Sequence, residues 1–511
     1  MPPRRLRTLG IVIAIGLSIS PTMTASAHAS GPPRVVPAFQ QWTAASGSYQ
    51  YGANSRVVVA AGYAGQLATT ADVLVADLTA LTGSAPARIV GGSADLTPGA
   101  IYLTLGDTSV PGVEGHRVIV STTVTISAAT DAGVFDGTRS LLQLLRQSRT
   151  IPAGTARDWA AYKERNLMVD TARKFYSVAW LKARVRELSY LKFNTLHLHL
   201  SDNEAFRLES STYPDIVSNP HYSKAEITDL IAYAARYHVD VVPEIDMPGH
   251  MGAALKTRPD IALDLGPALS GGNRQLSLDL SKPAAWTFAK NLLTEYLPLF
   301  PGTRWHLGAD EWLNNDELLT FPQLLAYARQ NYGPSATGRD AEYAFINWAD
   351  CFVRARGKTM RIWNDQFVPV SVVRINADVA VEHWYGDTDV PPQAIVDEGH
   401  RINNANWQVL YAIPDSNSYP DAQQIYTKFQ VRQFAKEPSG SQTITAGSPA
   451  LLGTQLSIWS DNKPASYTEA DVAAGIRYGL RSLVQITWGS PKPSTTYTGF
   501  KYIVDRIGDA P

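Results

Sequence analysis

The 511-residue sequence has a single cysteine, Cys351, and therefore forms no intramolecular disulfide. One cysteine also excludes zinc–thiolate and iron–sulfur sites, because both need several thiolate ligands. Cys351 follows an apolar helical stretch, so we expect a small buried side chain and not a nucleophile. Past the N-terminus, no apolar run approaches the about 20 residues that cross a bilayer, which predicts no membrane span.

The sequence also lacks an excess of charge of either sign. Its 45 Lys and Arg residues nearly balance 46 Asp and Glu residues, for a formal net charge of −1. This balance provides no basic surface for nucleic acid or for an anionic membrane, so neither is an expected partner. Hydrophobic residues make up 45% of the chain and charged residues 18%, which indicates a folded, globular protein.

The N-terminus has the layout of an export signal. Three arginines within the first seven residues precede a short apolar run, Ile11–Ile19, and Ala27-His28-Ala29 is a small-x-small cleavage site. We predict a signal peptide over residues 1–29 and a secreted, extracellular mature chain. An uncleaved anchor is the alternative, but its apolar run is too short to span a bilayer.

The rest of the chain divides into segments that differ in composition and in hydrophobic pattern. Residues 30–54 are rich in Gly, Pro, Ser and Ala, which predicts a linker. Residues 55–160 mix short β-type runs with two helical windows, Ala71–Thr82 and Ala132–Gln147, which predicts a small α+β domain. Residues 161–511 have a different hydrophobic pattern and are long enough to form a second domain.

In residues 161–511, short apolar strands alternate with amphipathic helices. Eight such units predict an α/β fold, a (β/α)₈ TIM barrel, with a doubly wound open sheet as the alternative. The predicted strands are Leu167–Asp170, Thr195–Leu200, Val239–Ile245, Trp305–Gly308, Thr359–Trp363, Val379–Trp384, His400–Asn404 and Gly453–Trp459.

Polar and aromatic residues cluster where these strands end, which is where barrels carry their catalytic groups. A ring of such residues favours an active site over isolated caps or loop residues. They are Asp170, Arg173, Asp202, Glu244, Asp246, His250, His306, Asp310, Glu311, Trp363, Asp365, Glu382, Trp384, Trp407, Trp459 and Asp461.

Asp310 and Glu311 are adjacent acids directly after a predicted strand. Because the side-chain period of a strand is two, the two carboxyl groups point in different directions and can reach different atoms of one substrate. One can stay ionised while a drier neighbour keeps a proton and acts as a general acid, the division that glycosidic cleavage requires.

The segment His306-Leu-Gly-Ala-Asp310-Glu311 resembles the His-x-Gly-(Gly/Ala)-Asp-Glu signature of the family 20 glycoside hydrolases, the β-N-acetylhexosaminidases and their relatives. Three more segments resemble the family's strand-end motifs and occur in the family's order: Met168–Arg173, His197–Asp202 and Pro243–His250. The resemblance covers residues 160–505, and the preceding small domain fits the family's layout. It implies hydrolysis of terminal N-acetylhexosamine from glycans or chitooligosaccharides.

The resemblance implies substrate-assisted catalysis, with the substrate's own 2-acetamido oxygen as the nucleophile. Glu311 would be the general acid and then the general base, and Asp310 would orient the acetamide and stabilise the oxazolinium-type intermediate. Asp202 and His250 would form a hydrogen-bonded relay to Glu311, and Tyr411 would bind the acetamide oxygen. No metal and no cofactor are expected.

The resemblance also implies a substrate-binding set. Arg173 would hold the 3- and 4-hydroxyls of the terminal sugar, and its alternative role is a salt bridge with Asp170. Tryptophans would line the pocket and stack on the sugar and the acetyl methyl, or alternatively belong to the core. The predicted substrate-binding residues are Arg173, Trp363, Trp384, Trp459, Asp461 and His306.

Three segments depart from the family pattern. Asp202-Asn-Glu-Ala-Phe-Arg207 replaces Asp-Asp-Gln-Gly-Trp-Arg, Tyr411-Ala-Ile413 replaces Tyr-Leu-Asp, and Trp459-Ser-Asp461 replaces Trp-x-Glu. These departures resemble a subgroup that includes lacto-N-biosidases. Release of a disaccharide is therefore an alternative to release of one sugar.

Three other functions remain as alternatives. A metal hydrolase would use His197, His199, His250 and Asp310 as ligands, since residues two apart on a strand face the same side. A non-catalytic glycan-binding protein would keep the aromatic pocket without turnover, and an endo-acting chitinase would cut within a chain.

Overall fold

The computed structural model describes Met1 and residues 31–267, 274–386, 390–437, 439–461 and 466–511. The predicted signal peptide, apart from Met1, lies outside the described residues. Among the described helices, none has both the length and the apolar character needed to cross a membrane.

The N-terminal domain is a seven-stranded mixed sheet with the strand order β1-β7-β5-β6-β4-β2-β3, against which two helices pack. The N-cap of the second helix is Thr130, whose side chain accepts a hydrogen bond from the Gly133 amide. The bounds are β1 Gln41–Gln50, β2 Arg56–Ala60, α1 Ala68–Thr82, β3 Ala87–Gly91, β4 Ala100–Leu105, β5 His116–Val120, β6 Val124–Ala128, α2 Asp131–Gln147 and β7 Thr150–Asp158.

The predicted linker over residues 30–54 differs from the structure. Residues 41–50 form β1, which pairs antiparallel with β7 at the edge of the sheet. Val35 and Val36 before it are fully buried, and the Val36 amide donates to Gln143 Oε1 at 2.7 Å. Most side chains of β1 are exposed or half-buried, so a small, polar sequence is compatible with an edge strand.

The described part of the C-terminal domain contains thirteen strands, eight of which form a closed parallel barrel, and short β17 pairs parallel with β20 beside it. Their bounds are β8 Glu164–Asp170, β9 Thr195–His199, β10 Asp240–Glu244, β11 Ala262–Pro267, β12 Arg274–Leu278, β13 Arg304–His306, β14 Thr359–Trp363, β15 Ala380–His383, β16 Ile402–Asn404, β17 Tyr411–Ala412, β18 Gln433–Ala435, β19 Ser441–Thr443 and β20 Leu451–Ile458.

Helices follow the barrel strands and surround them. Some of them begin with capping boxes, for example Ser223 with Glu226 and Thr468 with Asp471. The helices are α3 Val178–Tyr190, α4 Lys224–Arg236, α5 Gly252–Leu255, α6 Pro283–Tyr296, α7 Asn315–Thr320, α8 Pro322–Tyr332, α9 Gly338–Arg354, α10 Pro392–Asp397, α11 Trp407–Leu410, α12 Ala422–Thr427, α13 Glu469–Trp488 and α14 Tyr497–Ile507.

The barrel is closed, which confirms the predicted (β/α)₈ fold and excludes the open sheet. The strand order is β8-β9-β10-β13-β14-β15-β16-β20, and β20 pairs with both β16 and β8. Each of the eight predicted strands overlaps one of these. They could be recognised because barrel strands are buried on both faces and form nearly continuous apolar runs.

Two antiparallel hairpins, β11–β12 and β18–β19, lie in the long connections after β10 and β16. The expectation for Cys351 was wrong, because its side chain is exposed near the end of α9. A buried ion pair joins the two domains, with Lys192 Nζ lying 2.7 Å from Asp158 Oδ2. Lys192 precedes β9, so this contact lies at the N-terminal ends of the barrel strands.

Candidate active site

A pocket of about 310 Å³ opens at the C-terminal ends of the barrel strands, opposite the contact with the small domain. It brings together nine of the eleven residues that the sequence predicts for the site, all except Asp202 and His306. The lining residues are Arg173, Asn203, Glu204, His250, Gln275, Asp310, Glu311, Trp363, Trp384, Tyr411, Trp459 and Asp461.

The loop after β13 turns sharply to present the two adjacent acids. Gly308, Ala309 and Glu311 have φ values of 77°, 60° and 42°. These values lie in the left-handed region, which residues other than glycine rarely adopt. A Cβ atom at Gly308 would lie 1.9 Å from Asp246 Oδ1, so only glycine fits there. The Ala309 amide donates to the same oxygen at 3.1 Å, which fixes the turn.

Asp310 lies almost fully buried at the bottom of the pocket. Burial raises the pKa of Asp310, and the nearby Glu244 carboxylate adds to the shift, whereas His250 opposes it. Burial and the Asp310 carboxylate likewise raise the pKa of Asp246 well above its ordinary value. Two neighbouring buried carboxyl groups favour a state in which they share one proton and carry one negative charge. A bound cationic group would neutralise that charge.

Glu311 has a more open position, since its side chain is 54% exposed. Its Oε2 atom lies 3.3 Å from His250 Nε2, and this contact with His250 holds the pKa of Glu311 below its ordinary value. Within the protein alone Asp310 is thus the acid with the raised pKa, although the resemblance makes Glu311 the proton donor. A bound sugar would cover Glu311 and disfavour its ionised form.

The predicted relay to Glu311 is present as a chain of contacts. His250 Nδ1 lies 3.1 Å from Asp202 Oδ1, and the other Asp202 oxygen lies 2.8 Å from His199 Nε2. Burial disfavours a charged His250, but the Asp202 and Asp310 carboxylates outweigh it and raise the pKa of His250 well above its ordinary value. Asp202 is buried behind His250, which contacts both Asp202 and Glu311.

Arg173 lies where its predicted role requires and also forms the salt bridge of the alternative. Its guanidinium lines the pocket and lies 3.3 Å from Asp170 and 2.8 Å from Asp202. It also lies 3.6 Å from Glu204 and 3.9 Å from Asp461. Burial raises the pKa of Glu204 to about 7 and that of Asp461 to about 6. Arg173 and these two acids form a polar side of the pocket suited to sugar hydroxyls.

Aromatic rings form another side of the pocket, and one of them, Trp459, contacts Arg173. Trp384 is stacked on Tyr411 with ring centroids 6.1 Å apart and planes 10° apart. Trp459 lies next to both Tyr411 and Trp363, at 6.0 and 5.9 Å. The Trp363 indole donates to Glu244 Oε1 at 2.7 Å, which fixes that ring. These flat apolar faces suit the face of a sugar ring and an acetyl methyl group.

His306, predicted to bind substrate, is fully buried and does not line the pocket. Its Nδ1 atom accepts a hydrogen bond from the Gly308 amide at 3.0 Å, and its ring lies 4.9 Å from that of Trp363. The prediction that His306 binds substrate was wrong. His306 belongs to strand β13 itself, so its side chain points into the barrel interior, whereas the pocket is lined by residues of the loop that follows the strand. His306 supports the sharp turn and the Trp363 ring.

The two histidines of the metal-hydrolase alternative also lie below the pocket. His197 Nε2 and His199 Nδ1 each lie 3.0 Å from Glu244 Oε2, and neither lines the pocket. Among the described residues, the spacing of His197, Glu244 and His306 would admit a cation, and so would that of Asp246, His250 and Asp310 beside the pocket. A metal in the first group would lie among buried side chains, below the reach of a substrate in the pocket.

Several lining residues were not predicted. Asn203 and Glu204 follow Asp202 directly, and their departure from the family motif was the available signal. Gln275 belongs to the hairpin strand β12, which no sequence pattern indicated. A second cleft of about 520 Å³ adjoins the pocket, and Gln275, Glu311 and Trp384 line both.

We expect the alkaline limb of kcat/KM to lie at lower pH than the alkaline limb of kcat. His250 lowers the pKa of Glu311 in the free protein, so the protonated acid is lost early as pH rises. A bound sugar removes water from Glu311 and raises that pKa, so the proton is held to higher pH. Both parameters are measured across the acidic and neutral range, since kcat/KM reports the free enzyme and kcat the complex. Coincident limbs would contradict this account.

Comparisons with known proteins agree with the two-domain fold. Residues 162–479 match glycosyl hydrolase family 20, catalytic domain, and residues 32–159 match domain 2 of the same family. A lacto-N-biosidase of Bifidobacterium bifidum is 32% identical over 98% of this chain, which spans only 44% of that protein's length. A beta-N-acetylhexosaminidase of Cellulomonas fimi is 26% identical over 82% of this chain and 83% of its own.

The fold is also similar to solved structures. A family 20 beta-N-acetylhexosaminidase from Streptomyces coelicolor A3(2) superposes with a TM-score of 0.74 at 22% identity. The superposition covers 94% of this chain and 96% of that one. At this identity the likeness bears on the fold alone.

Proposed function

The chain belongs to glycosyl hydrolase family 20, as its motifs predicted, and on that premise we propose that it is a retaining exo-glycosidase. The proposed substrates are glycans or chitooligosaccharides that end in a β-linked N-acetylhexosamine. Catalysis uses the 2-acetamido group of that sugar and needs neither a metal nor a cofactor.

One observation carries the proposal: a single pocket joins two adjacent acids with different surroundings to an aromatic wall. Asp310 is buried against other acids, whereas Glu311 is half exposed and contacts His250. The surroundings of Asp310 suit a carboxyl group that stays in place and balances a cation. The surroundings of Glu311 suit a carboxyl group that donates and accepts protons. A non-catalytic binding protein would not require this pair.

The reaction has two steps. In the first, the acetamide oxygen attacks the anomeric carbon, the bond to the leaving oxygen breaks, and Glu311 protonates that oxygen. Asp310 balances the charge of the resulting oxazolinium through the amide N–H. In the second, Glu311 accepts a proton from water as the water attacks the same carbon, and the ring opens with net retention. Intramolecular attack supplies much of the acceleration, because the nucleophile is already in place.

The adjoining cleft is the proposed place of the leaving group. Glu311 lines both cavities, and a proton donor must contact the oxygen between the cleaved sugar and its neighbour. The cleft is larger than the pocket, about 520 against 310 Å³, so it has room for more than one sugar unit.

We expect purified protein to hydrolyse 4-nitrophenyl N-acetyl-β-glucosaminide more than about 10³-fold faster than the 4-nitrophenyl β-glucoside, since only the first carries the nucleophile. Full activity should persist in EDTA. Initial rates under matched conditions make the comparison. Equal rates on the two glycosides would refute the acetamide mechanism, and loss of activity in EDTA would favour a metal hydrolase.

A disaccharide-releasing activity is the second candidate, and a specific observation favours it. Over 98% of its length the chain is 32% identical to the lacto-N-biosidase, and Glu204 and Asp461 line the polar side of the pocket. Analysis of the products from chitobiose and from lacto-N-tetraose separates the two activities. An N-acetylhexosamine product supports the first, and a released disaccharide supports the second; an end-blocked oligosaccharide that is still cut would favour an endo-acting enzyme.

We also propose that the protein is exported and acts outside the cell, including in chitin degradation. Export is supported by the arginine-rich start, the apolar run Ile11–Ile19 and the cleavage motif Ala27–Ala29. N-terminal sequencing of the protein recovered from culture medium tests cleavage after Ala29.

A further inference from the structure

Asp365 lies beside the pocket, two residues after β14, and neither reaction step uses it. Its Oδ2 atom accepts a hydrogen bond from the backbone amide of Glu311 at 2.8 Å. Its Oδ1 atom accepts one from the Trp384 indole at 3.2 Å. One carboxyl group therefore contacts both the proposed proton donor and the aromatic wall.

Glu311 needs such support, because few contacts fix its side chain. The side chain is 54% exposed, and His250 Nε2 lies 3.3 Å from its carboxyl group. Its backbone has a φ of 42°, a strained conformation that persists only when neighbouring contacts maintain it. The bond from the Glu311 amide to Asp365 is one of those contacts.

Trp384 depends on the same segment. The Asn364 side chain accepts from the Trp384 amide at 2.7 Å and thereby fixes the backbone. Asp365 then fixes the indole, which stacks on Tyr411. Trp384 also lines both cavities, so its ring lies where the cleaved sugar and the leaving group meet.

We propose that Asp365 is a positioning residue whose carboxylate sets the separation between the Glu311 proton donor and the Trp384 wall. This inference rests on the proposed role of Glu311. When a sugar packs against Trp384, the contact through Asp365 keeps Glu311 at the leaving oxygen. Burial, with the Asp310 and Glu311 carboxylates, raises the pKa of Asp365 to about 7, consistent with its place inside this acidic group.

Three substitutions separate the two contacts. Asp365→Ala removes both. In the native protein Asp365 Oδ2 accepts from the Glu311 amide and from Gln366 Nε2, the latter at 3.1 Å. Asp365→Asn keeps one side-chain oxygen, which can still accept from these two donors. The introduced amide nitrogen then faces the Trp384 indole and cannot accept from it, so the Trp384 contact is lost. Trp384→Phe removes the indole donor from the other side and keeps an aromatic ring.

We expect Asp365→Ala to lower kcat on chitobiose by about 10²-fold, the cost of a small misplacement of a catalytic group. The loss on 2,4-dinitrophenyl N-acetyl-β-glucosaminide should be at least about tenfold smaller, because this leaving group needs little protonation. Asp397→Asn, on a surface helix away from the pocket, is the control and should match the unaltered protein. Equal losses on both substrates would overturn the proposal.

A double-mutant cycle gives a second test that does not depend on Asp365→Ala folding. Asp365→Asn and Trp384→Phe sever the same hydrogen bond, so in the Asp365→Asn background Trp384→Phe should change the chitobiose-to-dinitrophenyl rate ratio by less than about twofold. In the protein that keeps Asp365, Trp384→Phe should change the same rate ratio by more than about twofold. The same change in both backgrounds would refute the coupling. Failure of the unaltered protein to cleave either substrate would instead refute the proposed function.

Discussion

Glu311→Gln is expected to lower kcat on chitobiose by about 10²–10⁴-fold, the range that a general acid contributes. The amide has the shape of the carboxyl group but neither donates a proton to the leaving oxygen nor accepts one from water. The loss should be smaller on the dinitrophenyl glycoside, whose leaving group departs without protonation. Steady-state rates on both substrates make the measurement.

Ligand affinity should survive this substitution. The introduced glutamine side chain still fits beside His250, and Asp310 and the aromatic wall are unchanged. A thiazoline mimic of the cyclised intermediate should therefore bind Glu311→Gln about as tightly as the unaltered protein. Glu398→Gln is the matched control, since Glu398 is an exposed glutamate at the end of α10 and lines neither cavity. Near-normal turnover in Glu311→Gln would remove Glu311 from the mechanism.

The barrel could be predicted from sequence because of how its strands are buried. Strands such as β20, buried along its whole length, read as apolar runs that end in polar residues. Edge strand β1 has mostly exposed, small and polar side chains, so its sequence resembles a linker. The hairpins β11–β12 and β18–β19 are stabilised within long connections, where local sequence gives a weak signal.

The site could be predicted as a set of residues but not as a geometry. Arg173, His250 and Tyr411 lie at strand ends or just beyond, and the fold brings them to one pocket. The depth at which each side chain lies could not be predicted from the sequence. His306, for example, lies on the strand and points into the barrel core. The pKa order of the acid pair depends on burial and on His250, which only the folded structure brings together.

Asp310→Asn is expected to lower kcat/KM by about 10²–10³-fold, the usual effect of removing one preorganised electrostatic contact. Unlike the loss in Glu311→Gln, this loss should be similar for chitobiose and for the dinitrophenyl glycoside. The reason is that Asp310 balances charge on the sugar itself, and that charge develops whichever group leaves. The ratio of the two rates therefore distinguishes the two acids.

The asparagine variant should still fold, because the structure offers its amide a partner. Among the described residues, Asp246 Oδ2 is buried without a donor, and its carboxyl group lies beside that of Asp310 and the His250 ring. The introduced asparagine amide can donate there, in place of the proton that the two acids share. The thiazoline mimic should bind this variant more weakly than it binds Glu311→Gln, because the cationic ring loses its counter-charge. Asp316→Asn, an exposed acid at the start of α7, is the control, and unchanged thiazoline affinity in Asp310→Asn would show that Asp310 does not stabilise the intermediate.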